Sequence, residues 1–146
     1  ARLCRGDWHW WISDDDTLEE DAVDKVVRYA SKNLSVESIF GWRGYRDLQN
    51  NFLLRTTSPD IIGSDMEVGG MPSWINRSYL SRLFKWNSQS YRNESNKPGD
   101  LDLQSRMIEY GVKFGILEAH LSTSWAVDKY DGLHGSQLYK NFEMKK

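Results

Sequence analysis

The sequence predicts a mainly α, compact single domain over residues 1–146; the alternative is an α+β domain with strands near residues 8–12, 52–57 and 107–117. Three segments carry that reading: a capped amphipathic run from Asp16 to Asn33, another from Ser73 to about Ser88, and an apolar stripe from Leu103 to Leu121. A chain of 146 residues suits one core, because a domain near that size buries roughly 68–70% of the surface its unfolded chain exposes. Apolar residues at 39% and charged residues at 27% place it among globular chains, outside the disordered class.

Taken in order, Asp7-Trp8-His9-Trp10-Trp11-Ile12 reads as an edge strand, a terminal plug over the core, or an aromatic anchor. Thr17-Leu18-Glu19-Glu20 fits a capping box. It opens a helix whose acids gather where the dipole favours them. Val23, Val26, Val27 and Ala30 would form its apolar face, with Asp21–Lys25 and Asp24–Arg28 as supporting pairs. Ser35 could cap a short helix over Val36–Phe40, and Asp47–Thr57 suits a helix or a strand. From Ser58 to Pro72 the Pro and Gly residues signal a loop.

Ser73 then caps a basic helix to about Ser88, followed by a polar link that stops at Pro98-Gly99. Between Asp100 and Leu121 two periods compete. Leu103, Met107, Tyr110, Phe114, Leu117 and Leu121 recur at helical steps, whereas Ile108 to Ile116 alternate as a strand would. The length of the stripe favours the helix, against two interior glycines costing about 1 kcal/mol each.

Seven tryptophans and one cysteine stand out. Indole is seldom fully buried and keeps its N–H near a partner or water, so some of these rings are expected at a contact surface. Lone Cys4 rules out an internal disulfide and any Cys-rich metal site, and it favours an intracellular setting, cytoplasmic or nuclear. The first ten residues are polar and aromatic, unlike a signal peptide. No apolar run approaches the ~20 residues of a membrane span, so no membrane partner is expected. Net charge is −2, yet seven acids lie between Asp14 and Asp24 while five bases and one acid lie between Asn76 and Lys97.

Catalytic signals are thin. His120 with Ser122, Ser124 and Asp128 sketches a hydrolase, but no nucleophile elbow accompanies it. The spacing of His120, His134, Asp128 and Asp131 matches no zinc signature, and Asp60, Asp65 and Glu67 lack an EF-hand register. No cofactor or metal is expected, and the reading leans away from an enzyme. Arg5-Gly6-Asp7 is a three-residue match without weight.

The aromatic–basic segments carry more. Phe40-Gly41-Trp42-Arg43-Gly44-Tyr45-Arg46 sets arginines among large rings, and Trp74 to Arg92 alternates rings with cations. Trp, Tyr and Arg are hot-spot residues of protein interfaces; rings beside cations also suit single-stranded nucleic acid. The functional expectation is therefore a non-enzymatic protein–protein interaction module. Its contact residues would be Trp42, Arg43, Tyr45, Arg46, Arg77, Arg82, Lys85 and Trp86. Nucleic-acid binding through the same segments is the alternative, and a second copy of the chain is a further candidate partner. The unusual composition would suit a viral or phage-type regulatory, structural or accessory protein.

Overall fold

The structure, a computed structural model, describes residues 5–12, 16–46, 50, 52–57, 73–84 and 99–125. Strand β1 (Trp8–Trp10) and β2 (Asp16–Leu18) precede helix α1 (Ala22–Lys32). Then come β3 (Ser38–Arg46), β4 (Phe52–Arg55), β5 (Trp74–Arg77), α2 (Ser78–Leu83), α3 (Gly99–Glu109) and β6 (Phe114–Trp125). The six strands form one curled half-barrel sheet in the order β1-β5-β3-β6-β2, with β4 also on β3.

Strand β3 is the hub. Its first half pairs antiparallel with β5, from Ser38↔Asn76 to Phe40↔Trp74. Its second half pairs antiparallel with β4, from Arg43↔Arg55 to Arg46↔Phe52. Along its other edge it runs parallel to β6, from Ser38↔Phe114 to Arg46↔Trp125. That ladder slips twice, as Phe40↔Ile116 gives way to Trp42↔His120 and then Arg43↔Ser122. Extra residues in β6 bend the pair and change which side chains share a face.

Each face of the sheet is closed by helices. On one, Phe40 stacks between Trp74 at 5.3 Å and Phe114 at 5.7 Å. Leu80 of α2, Leu103 and Met107 of α3, and Val112 complete that core. On the other face, Ala22, Val26 and Ala30 of α1 cover Ile39, Ile75 and Leu121. Ser38 ties two buried polar side chains together in the core, whereas Gln104 and the Asn76 Nδ2 are buried with no hydrogen-bond partner among the described residues. Trp74 Nε1 donates to Ser38 Oγ at 2.7 Å, and Ser38 Oγ donates to Asn76 Oδ1 at 2.8 Å.

The mainly α expectation is overturned: among the described residues strands take 42% against 32% for small helices. Three segments account for the change. Asp16–Leu18 pairs with β6 instead of opening a helix, and Thr17 gives its hydroxyl to the Thr123 carbonyl. Helix α1 starts only at Ala22, without a side-chain cap. It buries Val26 and Ala30 but exposes Val23 and Val27, so the apolar face is narrower than the valines suggested. Ser73 begins no helix, since Trp74–Arg77 is a strand. Val36–Phe40 leads into β3.

The alternative α+β reading set strands near 8–12, 52–57 and 107–117. Strands do occupy Trp8–Trp10 and Phe52–Arg55, whereas 107–117 holds the end of α3 and the start of β6. The break is a Schellman cap. Val112 N–H reaches Met107 O at 3.0 Å, Gly111 N–H reaches Ile108 O at 2.9 Å, and Gly111 has φ +85°. Only glycine adopts that conformation without strain. Val112 and Met107 then meet in the core, the apolar contact that accompanies such caps.

Gly115 is required for another reason. A Cβ there would lie 2.7 Å from Tyr29 Oη and 2.9 Å from Val36 Cγ1, where α1 and the segment after it press on β6. Gly115→Ala should therefore cost about 1–3 kcal/mol, read as a lower urea midpoint; an unchanged midpoint would mean that α1 gives way without strain.

Candidate functional site

Past the bulges, the sheet turns from apolar to polar. Asp16 of β2 lies opposite Ser124 of β6, which lies opposite Tyr45 of β3. Ser124 Oγ donates to Asp16 Oδ1, and Arg43 Nε donates to Ser124 Oγ at 2.7 Å. Arg43 Nη2 stands 3.5 Å from Asp16 Oδ1, with the carboxylate side chain 2% exposed and the guanidinium side chain 19%. Arg43 also lies over the Tyr45 ring at 4.8 Å, and Tyr45 is buried. These groups answer one another.

A second polar group surrounds His120. Its Nε2 is 2.9 Å from the Ser122 carbonyl and 3.0 Å from Thr123 Oγ1, while Thr123 donates to Glu19 Oε1 at 3.1 Å. A carbonyl only accepts, so Nε2 carries its proton. The ring thus holds no lone pair at Nε2 to activate a hydroxyl, and Ser124 is engaged by Asp16 and Arg43. The His120–Ser124 arrangement drawn from sequence does not form.

The sequence-nominated contact residues separate into three places. Trp42, Arg43, Tyr45 and Arg46 lie within β3. Trp42 is half-buried, its Nε1 without a partner among the described residues, and Arg43 and Tyr45 join the polar group just described. Arg46 alone of the four is directed toward exposed rings. It lies 5.4 Å from the Phe52 ring and 5.8 Å from the Trp125 ring. Its Nη1 donates to Asn50 Oδ1 at 2.8 Å. Asn50 sits at φ 66°, a conformation Asn tolerates better than most residues. Phe52 is 46% exposed and Trp125 43%. Leu54, two residues along β4 and so on the same face as Phe52, is exposed as well.

Arg77 and Arg82 lie elsewhere, at the junction of β5 and α2. Arg77 covers the Trp8 ring at 4.3 Å, across the Trp8↔Arg77 pair of the sheet. Both line a cleft of about 400 Å³ with Arg5, Gly6, Asp7, Ser78 and Tyr79. Lys85 and Trp86 fall outside the described residues. Of the other indoles, Trp74 is sealed in the core, Trp8 and Trp10 are half-buried, and Trp11 is exposed. The sequence-nominated set omits Arg5, Phe52, Leu54 and Trp125, and also Tyr79, which the ring–cation alternation after Trp74 contains; their positions depend on pairing between distant segments.

Tyr79 donates to Glu37 Oε1, and Lys113 N–H donates to Glu37 Oε2 at 2.9 Å. Burial and the Glu37 hydrogen bond push the Tyr79 hydroxyl up to about 12. Burial acts to raise Glu37, but the Tyr79 and Lys113 hydrogen bonds, together with the Lys113 and Arg77 charges, outweigh it and hold the carboxyl below its ordinary 4.5.

Among the described residues no cluster of His, Cys, Asp and Glu could hold a metal ion, and no helix is long and apolar enough to cross a membrane. No known protein family matches the chain, and no curated protein matches it either.

Two experiments probe this architecture. Removing Asp16 strands a largely buried Arg43, so Asp16→Ala should cost about 3–5 kcal/mol. Ser122→Ala, which deletes a buried hydroxyl with no partner among the described residues, should leave stability equal or higher. Urea denaturation of both variants checks the pair, and equal losses would contradict the assignment. Separately, Glu37 is depressed in the fold, so its contribution is present above 4.5 and lost as pH falls through the folded value. Wild type should accordingly lose more stability on acidification than Glu37→Gln, as read from urea midpoints at neutral and acid pH.

Proposed function

We propose that this protein is a non-enzymatic interaction module that binds another protein through the face formed by Arg46, Phe52, Leu54 and Trp125. One observation carries the reading: a guanidinium held between two large rings, each more than two-fifths exposed. Exposed rings of that size lose much apolar area to a partner, at roughly 25 cal/mol per Å² buried. Asn50 and the two rings already restrain Arg46, so less side-chain freedom remains to be lost on binding. Aromatic residues and Arg are also the types enriched where protein interfaces are driest. Among the described strands β4 pairs only with β3, which leaves an edge beside this face for a partner's backbone. The complementary surface would be apolar, with a carboxylate set to meet Arg46.

Nucleic acid is the second reading, because a ring beside a cation is also a stacking platform. Among the described residues, however, Arg46 is the one cation set on these rings, and following a phosphate backbone takes several. The test is affinity capture on the full chain, with cross-linking and mass spectrometry to identify the partner, repeated with Phe52→Ser/Trp125→Ser. A single saturable partner, lost from the double variant and little affected between about 50 and 500 mM salt, supports the proposal. Binding to a short RNA that collapses over that salt range would replace it with the nucleic-acid reading. Retention of the same partner by the double variant would overturn the assigned face. Light scattering on the purified protein reports whether the partner is a second copy.

A further inference from the structure

The cleft between the Arg5–Asp7 segment and the β5–α2 junction is independent of the Arg46 face, and it has its own chemistry. Three arginines line about 400 Å³ against one carboxylate, Asp7. They come from segments far apart in sequence, and the chain fastens them together. Ser78 N–H donates to Asp7 O at 2.9 Å, and Ser78 Oγ donates to Gly6 O at 2.5 Å. Those two bonds set Arg5 against the start of α2. Arg82 follows Tyr79 by three residues, so the cation and the ring share a side of the helix. Arg77 is steadied over Trp8 at 4.3 Å.

Three guanidinium groups around one cleft repel one another, and Asp7 offsets one of the three charges. Neither Arg5 nor Arg82 has an ion pair among the described residues, in contrast to Lys25, Arg43 and Arg106, which each do. Glu37, the other nearby acid, hydrogen-bonds Tyr79 and the Lys113 amide and also attracts Arg77. Arg5 and Arg82 therefore present positive charge with no ion-pair partner among the described residues, in a concave place.

We propose that this cleft binds a phosphate monoester, its terminal oxygens held by Arg5, Arg77 and Arg82 and its organic group lying along Tyr79. The charge selects this class. A terminal phosphate carries nearly two charges and three acceptor oxygens, which three forked donors match. A carboxylate offers one charge and two oxygens, and each phosphodiester of a nucleic-acid backbone carries one charge. The cleft volume falls within the range of small-molecule sites, about 300–1,000 Å³, so it has room for an ester group as well as the anion.

Calorimetric titration of the full chain with inorganic phosphate, phosphotyrosine and AMP tests the site and separates the sources of the ester. Saturable binding of phosphotyrosine or AMP is expected, tighter than inorganic phosphate. Whichever ester binds better names the source, a modified side chain or a nucleotide. Arg5→Gln/Arg82→Gln changes two exposed residues outside the core, and it should weaken binding by about tenfold or more. Arg46→Gln, on the separate aromatic face, should bind as wild type does. No saturable binding by any of the three probes, or equal binding by the Arg5→Gln/Arg82→Gln variant, would overturn the proposal. Loss of binding in Arg46→Gln alone would also overturn it, by moving the anion to the other face.

Discussion

The parallel pairing of β3 with β6 is the constraint from which the rest of this structure follows. Parallel neighbours cannot be joined by a tight turn and need a long crossover. Here the crossover supplies β4 and β5 to the free edge of β3, then α2 and α3 to one face. Helix α1 precedes the pair and covers the opposite face. Buried on both sides, the central strands hold large apolar groups on both, Ile39 toward α1 and Phe40 toward α3. Without this ladder the two cores would share no wall.

The bulges in that ladder divide the sheet into two chemical regions. Before them Phe40, Trp74 and Phe114 form a dry aromatic stack. After them come Arg43, His120, Thr123 and Ser124, matched by Asp16 and Glu19 from the β2 side. Desolvating an ion pair of this kind offsets much of its attraction, so its main physical effect lies in register. A one-residue slip of β2 along β6 would move Asp16 away from Ser124 and Arg43, and it would turn Leu18 out of the α1 core. The polar group thus opposes the wrong pairing more than it deepens the right one.

Cations on rings recur on the outer surfaces, at Arg46 with Phe52 and Trp125 and at Arg77 with Trp8. Their settings differ. Arg46 stands among exposed apolar side chains, which suits contact with a broad surface. Arg77 belongs to a cleft with two more arginines, which suits a small, strongly charged group. The aromatic–basic character read as one property of the chain resolves into two separate places.

Local chemistry was legible wherever local rules decide the outcome. The helical stripe through Leu103 and Met107 is real up to Glu109, and the alternation from Phe114 is real after it. Gly111 was the written signal between the two, a cap where the sequence reading saw only a weak helix residue. The Asp21–Lys25 pair forms as its spacing implies, at 2.7 Å. What the sequence by itself determined was a helix running to Lys32, the Asp21–Lys25 pair, and the supply of rings and arginines. Only the tertiary structure decided which face each would occupy. Asp16–Leu18 became a strand because β6 offered its edge, overriding a plausible capping box. Arg43 turned inward because Asp16 and Ser124 waited there, and Arg46, three residues on, turned outward. Pairing across more than a hundred residues of sequence made those choices, and no local window contains the partner strand.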